Sequence, residues 1–583
     1  MLRESLDRFM VDYYRNVNLD LLERIPANAN HVLEIGVGAG HLGEAYLRRN
    51  PNASYDGVEL VHSIAQEAFA RLSRVTQGDI EAPAVMNHIR EIYRDKTIEA
   101  LVFGDVLEHF KEPWQVLREL RLLCAPNAVC VACIPNVSHW SLVQEQLAGR
   151  WNYAKAGLLD RTHLRFFTLD STLRMFNEAG WSVIDAKPRV LWPEKTKVAL
   201  EVFRSAALAL GIPFEELESN LSAFQWVIRA VNGNKPKPIT IAALALKKTA
   251  GVNEARIDYP LATLNTLPSV RAVWSSEKLE VPSGDPGVLI LHRQFVNTLS
   301  FQQAIERFIS KGWVVISEID DDPHHWSEYV ESEFYAFRAV HAVTVSSEPL
   351  AAMIQQWNSN VKVFDNAIFE LPTTLVAVAN DSILSTRPVR IFFGALNRLN
   401  DWLPIIEGIR QAALQLKNEV HWVVVHDQAF FNALPSGVEK SFFEMLTPSR
   451  YLEILASCDI SLLPLADTKF NLAKSDLKFI ESCAAGSVPV CSPVVYGREA
   501  AHTDLAIFAT SADEWHRGIV TLVRNQSRRR SMAKLGINYV KSRRLHSQQM
   551  LEREVFYKSL METRADLERQ RCERMFASGL IKA

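Results

Sequence analysis

Short apolar runs alternate with amphipathic stretches along residues 31–190, and this rhythm constrains the fold of the 583-residue chain more than any other feature. The amphipathic stretches include residues 114–124 and 169–179. Strands that alternate with helices predict parallel βαβ units in a doubly wound sheet. A last run at 223–231 predicts one more strand, which we expect at the antiparallel edge of that sheet. The six earlier runs are 31–37, 54–60, 72–79, 98–106, 128–135 and 181–190.

The same rhythm restarts twice after the segment NGNKPKP at 232–238, which has almost nothing to bury and predicts a linker. A polar stretch at 378–388 separates the two restarts, and a charged helical pattern at 542–574 either packs back across them or is solvated. We therefore expect three α/β parts, at 1–231, 239–377 and 388–545, followed by a charged helix at 546–583. The strand candidates after the linker are 239–246, 270–276, 287–295, 312–320, 340–347, 360–366, 389–396, 420–427, 458–465, 488–494 and 504–510.

Composition excludes several classes of protein. The net charge of −3 and the pI near 6.6 give no basic surface of the kind that binds nucleic acid. The seven cysteines are expected to be buried, reduced thiols, since zinc-ligand spacing is lacking. The N-terminus has no apolar core of a signal peptide, and no apolar run is long enough to span a membrane. We expect a cytoplasmic protein, with peripheral contact to the inner membrane left open.

The segment HVLEIGVGAGHLGEAYL at 31–47 predicts a ligand-binding turn after the first strand. Gly36, Gly38 and Gly40 allow a tight turn and a close approach of ligand, and the next helix begins with free N–H groups. The dinucleotide fingerprint would need glycine at position 41, where this chain has His41. A dehydrogenase is therefore the least favoured interpretation.

Acidic side chains follow the neighbouring strands of the same predicted sheet. Glu59 ends the second strand, where a carboxylate can accept from both ribose hydroxyls, and Asp79 follows the third, where it can accept from an adenine amino group. Asp105 ends the fourth strand, and Glu108 and His109 come directly after it. The carboxyl ends of parallel strands converge, so we expect one crevice lined by these residues.

Residues 1–231 resemble a class I S-adenosylmethionine-dependent methyltransferase, which implies a Rossmann-like seven-stranded sheet. The resemblance places Glu34 near the methionine portion, Glu59 at the ribose and Asp79 at the adenine. The segment 134–168 resembles the subgroup near the ubiquinone-biosynthesis O-methyltransferases, which implies O-methylation.

O-methylation needs a base near pH 7, and the candidate catalytic residues are His163, then Asp160 and His109. The alternatives for the histidines are a loop residue bonded to backbone and a residue that orients Glu108. Glu108 with His109 is too small a set for a metal site, so none is expected.

A second ligand signature, FNLAKSDLKFIESCAAGSVPV, lies at 470–490. A helix that began at Ser475 would place Lys474, Lys478 and Glu481 on or near one face, with its N-terminus and Lys474 facing a diphosphate. Upstream, Gly394 leaves a strand and Arg398 follows it as a second phosphate ligand. The alternative is an ordinary surface helix with lysines.

Residues 239–560 resemble a GT-B glycosyltransferase near glycosyltransferase family 4, which has two Rossmann-like lobes. The similar segments are 256–264, 317–326, 442–465 and the signature itself. The resemblance implies that Arg398 and Lys474 bind a donor diphosphate, that Glu481 binds its ribose, and that no essential metal is used. The run 320–322 is interpreted as a loop at the cleft, and His324 and Asp321 are acceptor-side candidates.

One position departs from that family, because Ala473 stands where many relatives have a sugar-contacting glutamate. The backbone N–H groups near 472–474 are a candidate replacement. We expect a bifunctional enzyme of bacterial surface polysaccharide synthesis, with S-adenosylmethionine and a nucleotide-sugar as its small-molecule partners and a glycan or lipid-linked glycan as acceptor. The alternatives are a methyltransferase with a catalytically inactive glycan-binding module, and a small-molecule methyltransferase.

Overall fold

The computed structural model describes residues 15–247, 251–281, 284–373, 387–500 and 503–580. The chain divides into two compact units: unit 1 holds residues 1–238 and 265–269, and unit 2 holds 239–264 and 270–583. Most of the polar stretch at 378–388 lies outside the described residues. Among the helices of the described ranges, none is both long and apolar enough to cross a membrane.

Unit 1 is built on one seven-stranded sheet with the order β3-β2-β1-β4-β5-β7-β6. The five strands from β3 to β5 are parallel, and β7 is antiparallel to both of its neighbours. The strands are β1 (His31–Ile35), β2 (Ser54–Glu59), β3 (Arg74–Gln77), β4 (Ile98–Gly104), β5 (Cys124–Pro135), β6 (Ser182–Arg189) and β7 (Gln225–Val231).

The expectation that the last strand forms the sheet edge is wrong. Every residue of β7 is buried, as in a central strand covered on both faces, whereas most residues of β6 are half-exposed. The run WVIRAV is apolar except for Arg229, whose guanidinium pairs with Asp185 on β6. The two helices between β6 and β7 bring the chain back so that β7 inserts between β5 and β6.

Cys130 and Cys133 have CxxC spacing, but they lie in different hydrophobic clusters and both are buried on β5.

Helices cover both faces of the unit 1 sheet. The helices are α1 (Leu19–Leu22), α2 (His41–Arg49), α3 (His62–Phe69), α4 (Pro83–Ile92), α5 (Pro113–Arg121), α6 (Trp140–Leu147), α7 (Leu169–Glu178), α8 (Pro193–Leu210) and α9 (Phe214–Ser222), with a 3₁₀ turn at Leu107–His109.

Unit 2 contains two parallel six-stranded sheets, ordered β13-β12-β11-β10-β8-β9 and β16-β15-β14-β17-β18-β19. The first lobe has β8 (Ile239–Leu244), β9 (Val270–Ser275), β10 (Val288–His292), β11 (Val314–Ile319), β12 (Ala342–Val345) and β13 (Val361–Val363). The second lobe has β14 (Val389–Gly394), β15 (Val420–Val425), β16 (Glu439–Phe443), β17 (Ile460–Leu463), β18 (Val488–Cys491) and β19 (Ile507–Phe508). Strand β16 was not predicted, because it is a partly exposed edge that contains Glu439 and Lys440.

The helices of unit 2 surround both sheets. The first lobe has a π-helical turn at Glu254–Asp258, a 3₁₀ turn at Pro323–His325, and α10 (Tyr259–Leu264), α11 (Leu299–Ser310), α12 (Ser327–Glu331), α13 (Tyr335–Arg338) and α14 (Glu348–Ile354). The second lobe has a 3₁₀ turn at Leu403–Ile405 and α15 (Leu399–Trp402), α16 (Ile406–Gln415), α17 (Gln428–Ala433), α18 (Pro448–Ala456), α19 (Lys469–Leu472), α20 (Leu477–Ala484), α21 (Pro493–Ala500), α22 (Ala512–Arg524) and α23 (Gln526–Arg543).

The charged tail forms α24 (His546–Glu562) and α25 (Arg564–Ala577), and it packs back on the first lobe. Arg571 pairs with Glu306 at 2.7 Å, and Arg574 Nε donates to the Arg338 carbonyl at 2.9 Å. The C-terminal tail therefore packs against the first lobe of unit 2, although it follows the second lobe in sequence. The predicted fold class, three successive Rossmann-like α/β parts, is confirmed.

Candidate functional site

The glycine turn of unit 1 joins β1 to α2. Gly36, Gly38 and Gly40 have φ values of 76°, 56° and 86°, in the left-handed region that favours glycine. A Cβ at Gly36 would lie 2.8 Å from Val106 Cγ2, so the backbone of β1 passes close to the chain that leaves β4.

Glu59 fixes this turn from the end of β2. Its Oε2 accepts from the Gly38 N–H and its Oε1 from the Val61 N–H, both at 2.9 Å. Each carboxylate oxygen keeps a further lone pair, so a diol could still donate to it. Asp79 follows β3 as an exposed side chain and accepts from the Glu81 N–H at 2.9 Å.

Glu34 is 3% exposed, and its side chain lies under the turn rather than in an open crevice. The Tyr55 hydroxyl donates to its Oε2 at 2.9 Å. Burial raises the pKa of Glu34 to about 8, against the opposing effect of the Tyr55 hydrogen bond. The carboxyl is therefore largely protonated at neutral pH.

Asp105 directly follows β4 and has a φ of 51°, an uncommon conformation outside glycine. Gln225 Nε2 donates to its Oδ1. Burial raises the pKa of Asp105 to about 6. A half-buried carboxyl in an unusual backbone conformation beside Val106 and the glycine turn marks this end of the sheet as a candidate site.

Three side chains meet just beyond Asp105. The ligand atoms of Glu108, His109 and His163 lie within 4.8 Å of one another, and His163 Nε2 is 3.9 Å from Glu108 Oε1. Burial, with the Asp105 carboxylate, raises the pKa of Glu108 well above its usual value, and burial lowers the pKa of both imidazoles. From sequence we expected no metal site, because only Glu108 and His109 were available as ligands. The fold brings His163 to them as a third potential ligand.

Asp160 stands apart from that cluster. Its Oδ1 accepts from the Thr162 N–H at 2.8 Å and from the Thr162 hydroxyl at 2.7 Å. The Thr162 carbonyl in turn is 3.2 Å from His109 Nδ1. Asp160 therefore shapes the loop that holds His109.

In unit 2, Lys474 lies between the lobes. Its Nζ is 2.7 Å from Asp321 Oδ1 in the first lobe and 4.1 Å from the centre of the Phe470 ring. Burial lowers the pKa of Lys474, while the Asp321 carboxylate opposes that effect. A mostly buried ammonium held by one carboxylate has the charge and hydrogen-bond donors that a phosphate ligand needs.

Arg398 reaches the same segment from the end of β14. It pairs with Asp401 at 3.0 Å and donates to Asn471 Oδ1 at 3.2 Å. Arg498, which sequence reasoning missed, donates to the carbonyls of Leu472 and, at 3.4 Å, Lys474. Arg398 and Arg498 therefore contact the segment 471–474, which itself contributes Lys474 as a third cation. Nothing in the sequence spacing around Arg498 indicated this role.

The prediction that a helix begins at Ser475 is wrong. Helix α20 begins two residues later, at Leu477, and Asp476 directly before it pairs with Arg544 at 2.6 Å. Ser475 Oγ instead accepts from Asn366 Nδ2 at 2.7 Å.

Lys478 and Glu481 do share the face of α20, with Nζ and Oε2 3.2 Å apart. Lys478 Nζ also lies 4.0 Å from the centre of the Tyr451 ring, and Tyr451 donates to the Gly394 carbonyl at 3.2 Å. Three of the predicted nucleotide ligands, Gly394, Lys478 and Glu481, therefore lie in connected contacts, with Tyr451 as the missed member.

Ala473 is 1% exposed and packs into a hydrophobic cluster of the first lobe. Its carbonyl accepts from the Ser347 hydroxyl at 2.8 Å. The N–H groups at 472–474 already donate to the carbonyls of residues 468, 470 and 471. They are therefore not free to contact a donor sugar in place of the missing glutamate.

The acidic run at 320–322 is fully engaged. Arg293 pairs with Asp320 and Asp321, and Asp322 accepts from the His324 N–H at 2.9 Å. Burial opposes ionisation of Asp320, but Arg293 and His292 outweigh it and hold the pKa of that carboxyl well below its usual range. His324 Nδ1 lies 2.8 Å from Asp322, which ties this acceptor-side candidate to the loop.

Residues 7–186 match the family model described as a methyltransferase domain. This match places a methyltransferase domain in unit 1 and leaves more than half of the chain outside it. No curated protein matches the chain.

Several solved structures are similar to parts of the chain. An S-adenosylmethionine-dependent methyltransferase from Archaeoglobus fulgidus is 16% identical over 40% of this chain and 92% of its own, with a TM-score of 0.25. The YcgJ protein from Bacillus subtilis is 13% identical over 37% of this chain and 97% of its own, with a TM-score of 0.24. Anabaena HepE, solved with UDP and glucose, is 14% identical over 55% of this chain and 100% of its own, with a TM-score of 0.38.

Proposed function

We propose that unit 1 binds S-adenosylmethionine and transfers its methyl group to an oxygen of an acceptor. The observation that carries this proposal is Glu59, whose two oxygens hold the Gly38 and Val61 amides at the mouth of the glycine turn. A ribose diol there would donate to the remaining lone pairs, with Asp79 available to the adenine amino group. S-adenosylmethionine would supply the methyl group, and the protein supplies the orientation of ribose, base and acceptor.

The acceptor side of this proposal lies at Asp105, Glu108 and the two histidines. An acceptor hydroxyl must lose its proton as its oxygen forms the new bond. His163 and His109 each face the cluster with one ring nitrogen, whereas Asp160 already accepts two bonds from Thr162. We therefore place deprotonation at the histidine pair, with His163 as the first candidate.

We further propose that unit 2 binds a nucleotide-sugar and transfers the sugar to a glycan. Lys474, Arg398 and Arg498 supply positive charge at the segment 471–474, and Glu481 would accept from the ribose. The buried Ala473 favours a second candidate, a glycan-binding module without transfer, since no carboxylate can stand at that position. On either proposal the chain acts on a glycan or lipid-linked glycan of a bacterial surface, from the cytoplasmic side.

The test uses the purified full-length chain. Labelled S-adenosylmethionine and UDP-, GDP- and dTDP-sugars are supplied with a panel of glycan acceptors, and methyl and sugar transfer are measured separately. Methyl transfer without sugar transfer, with glycan affinity in calorimetry, would support the binding module. Absence of S-adenosylhomocysteine binding would contradict the methyltransferase proposal.

A further inference from the structure

A buried carboxylate oxygen at the acceptor side of unit 1 lacks a partner. Glu108 is 1% exposed, and among the described residues its Oε2 has no hydrogen-bond partner. An unsatisfied buried carboxylate is costly, so such a group needs a proton or a cation beside it. The ring nitrogens of the two histidines beside Glu108 indicate whether a proton or a cation fits there.

Both histidines of the cluster keep one ring nitrogen with a free lone pair, and that of His163 lies 3.9 Å from Glu108 Oε1. His109 Nδ1 is 3.2 Å from the Thr162 carbonyl, and His163 Nδ1 is 3.2 Å from the Leu158 carbonyl. A carbonyl only accepts, so each proton lies on Nδ1 and each Nε2 is left as an acceptor. Metal-binding histidines are held in this way, with the second ring nitrogen donating to backbone.

The third ligand is brought in by the fold. Glu108 and His109 belong to the 3₁₀ turn after β4, whereas His163 comes from the loop before α7. The N–H groups of Leu164 and Arg165 both donate to the Glu108 carbonyl, at 2.8 and 3.0 Å, and so fasten that loop to the turn. The rings of the two histidines lie 4.9 Å apart at 75°.

We propose that Glu108, His109 and His163 bind one divalent transition-metal cation and leave open positions for an acceptor oxygen. Two imidazoles and one carboxylate suit Zn²⁺, Mn²⁺ or Fe²⁺ better than Mg²⁺ or Ca²⁺. Ligand bonds of about 2.0–2.2 Å place ligand atoms roughly 3.5 Å apart. Atoms already within 4.8 Å reach that spacing by small rotations of the side chains.

The role of the cation rests on the proposed methyl transfer. A cation there would bind the acceptor oxygen and lower the pKa of its hydroxyl. The proton then leaves to water, and the oxygen's electron pair forms the bond to the methyl carbon as the carbon–sulfur bond breaks. His163 in this case holds the ion rather than taking the proton.

The experiment titrates chelator-treated full-length protein with Co²⁺ and Zn²⁺, followed by visible absorption and calorimetry. We expect one ion per chain, and at least tenfold weaker binding in His163→Ala and Glu108→Gln. His88→Ala is the matched control, since His88 is exposed on α4, and it should bind like the wild type. His163→Cys should add a thiolate-to-cobalt charge-transfer band in the near ultraviolet.

Wild-type protein that binds Co²⁺ no more tightly than His163→Ala would overturn the inference, as would a His163→Cys spectrum without the new band. The wild-type stoichiometry decides the matter even if a variant fails to fold. S-adenosylhomocysteine binding to the chelated protein is measured in parallel. If the protein binds S-adenosylhomocysteine but no metal, the cation site is contradicted and the proposed methyl transfer is not. If it binds metal but no S-adenosylhomocysteine, the proposed methyl transfer is contradicted and the cation site is not.

Discussion

Lys474 Nζ lies 2.7 Å from Asp321 Oδ1, so the cation proposed for the donor diphosphate in the second lobe is already paired with a carboxylate of the first lobe. Both side chains are mostly buried, with 13% and 19% of their side-chain surfaces exposed. The pair therefore acts as a competitor for any anion that approaches Lys474. Donor binding has to displace Asp321 or share the ammonium with it.

Asp321→Asn should raise the affinity for UDP or GDP by about tenfold, roughly 1.4 kcal/mol, because it removes that competing charge. Lys474→Met should lower the affinity by at least as much. Calorimetry with a panel of nucleoside diphosphates measures both. Lys469→Met is the control, since Lys469 is exposed on α19. Weaker binding by Asp321→Asn would show that Asp321 belongs to the ligand site.

Glu59→Gln should weaken S-adenosylhomocysteine binding by 10- to 100-fold, or about 1–3 kcal/mol. Glutamine keeps one acceptor oxygen, so its amide group must face either the Gly38 or the Val61 N–H, which now donate to both carboxylate oxygens. Glu178→Gln, an exposed change at the end of α7, is the matched control for calorimetry. Equal affinities in the two variants would remove Glu59 from the site.

Gly36→Ala should lower the melting temperature and abolish nucleoside binding. The new methyl group would meet Val106 at 2.8 Å in a backbone conformation that alanine disfavours. Gly149→Ala is the control, because Gly149 also has a positive φ, of 69°, but no atom lies within 4 Å of its Cβ position. The free energy of unfolding of the Gly149→Ala control should fall only by the cost of the left-handed conformation, about 1–2 kcal/mol. A similar loss of melting temperature in both variants would exclude the contact with Val106 as the cause.

Glu34→Gln should flatten the pH dependence of stability between pH 5 and 8. In the unfolded chain this carboxyl ionises near its ordinary pKa of about 4.3, whereas burial in the folded protein raises its pKa to about 8. The unfolded state therefore binds fewer protons over this range, and wild-type stability falls as pH rises. Glutamine has no proton to lose and can still accept from Tyr55.

Melting temperatures of wild type and Glu34→Gln across pH 5 to 8 check this sign. We expect the difference between them to grow in favour of the variant as pH rises, and to level off above pH 8. Glu178→Gln serves again as the surface control. Parallel curves for wild type and Glu34→Gln would mean that Glu34 is ionised in the folded protein.

The alternation of apolar runs and helices was enough to predict the strands from β1 to β5, since each has buried residues in a short run bounded by turns or helices. Position within a sheet was harder, because it depends on partners distant in sequence. Strand β7 pairs with β5 about ninety residues earlier, and no local pattern specifies that pairing. Strand β16 was missed for the opposite reason, since an edge strand needs little apolar character.

The site residues also divide into those that the local sequence pattern predicts and those that depend on partners distant in sequence. Glu59 and the glycines adjoin strand ends, so their convergence could be predicted from topology alone. The meeting of Glu108 with His163 could not, because it depends on a loop fastened by two backbone N–H groups. The start of α20 was also beyond the local pattern, since the distant Arg544 fixes Asp476.

The central position of β7 has a consequence for synthesis of the chain. As the protein leaves the ribosome, β5 keeps an unpaired edge until residue 231 has emerged, although the methyltransferase family match already ends at 186. An open strand edge invites pairing with other chains. A gene fragment cut near residue 190 would therefore yield an aggregating product, and a usable one must extend through β7.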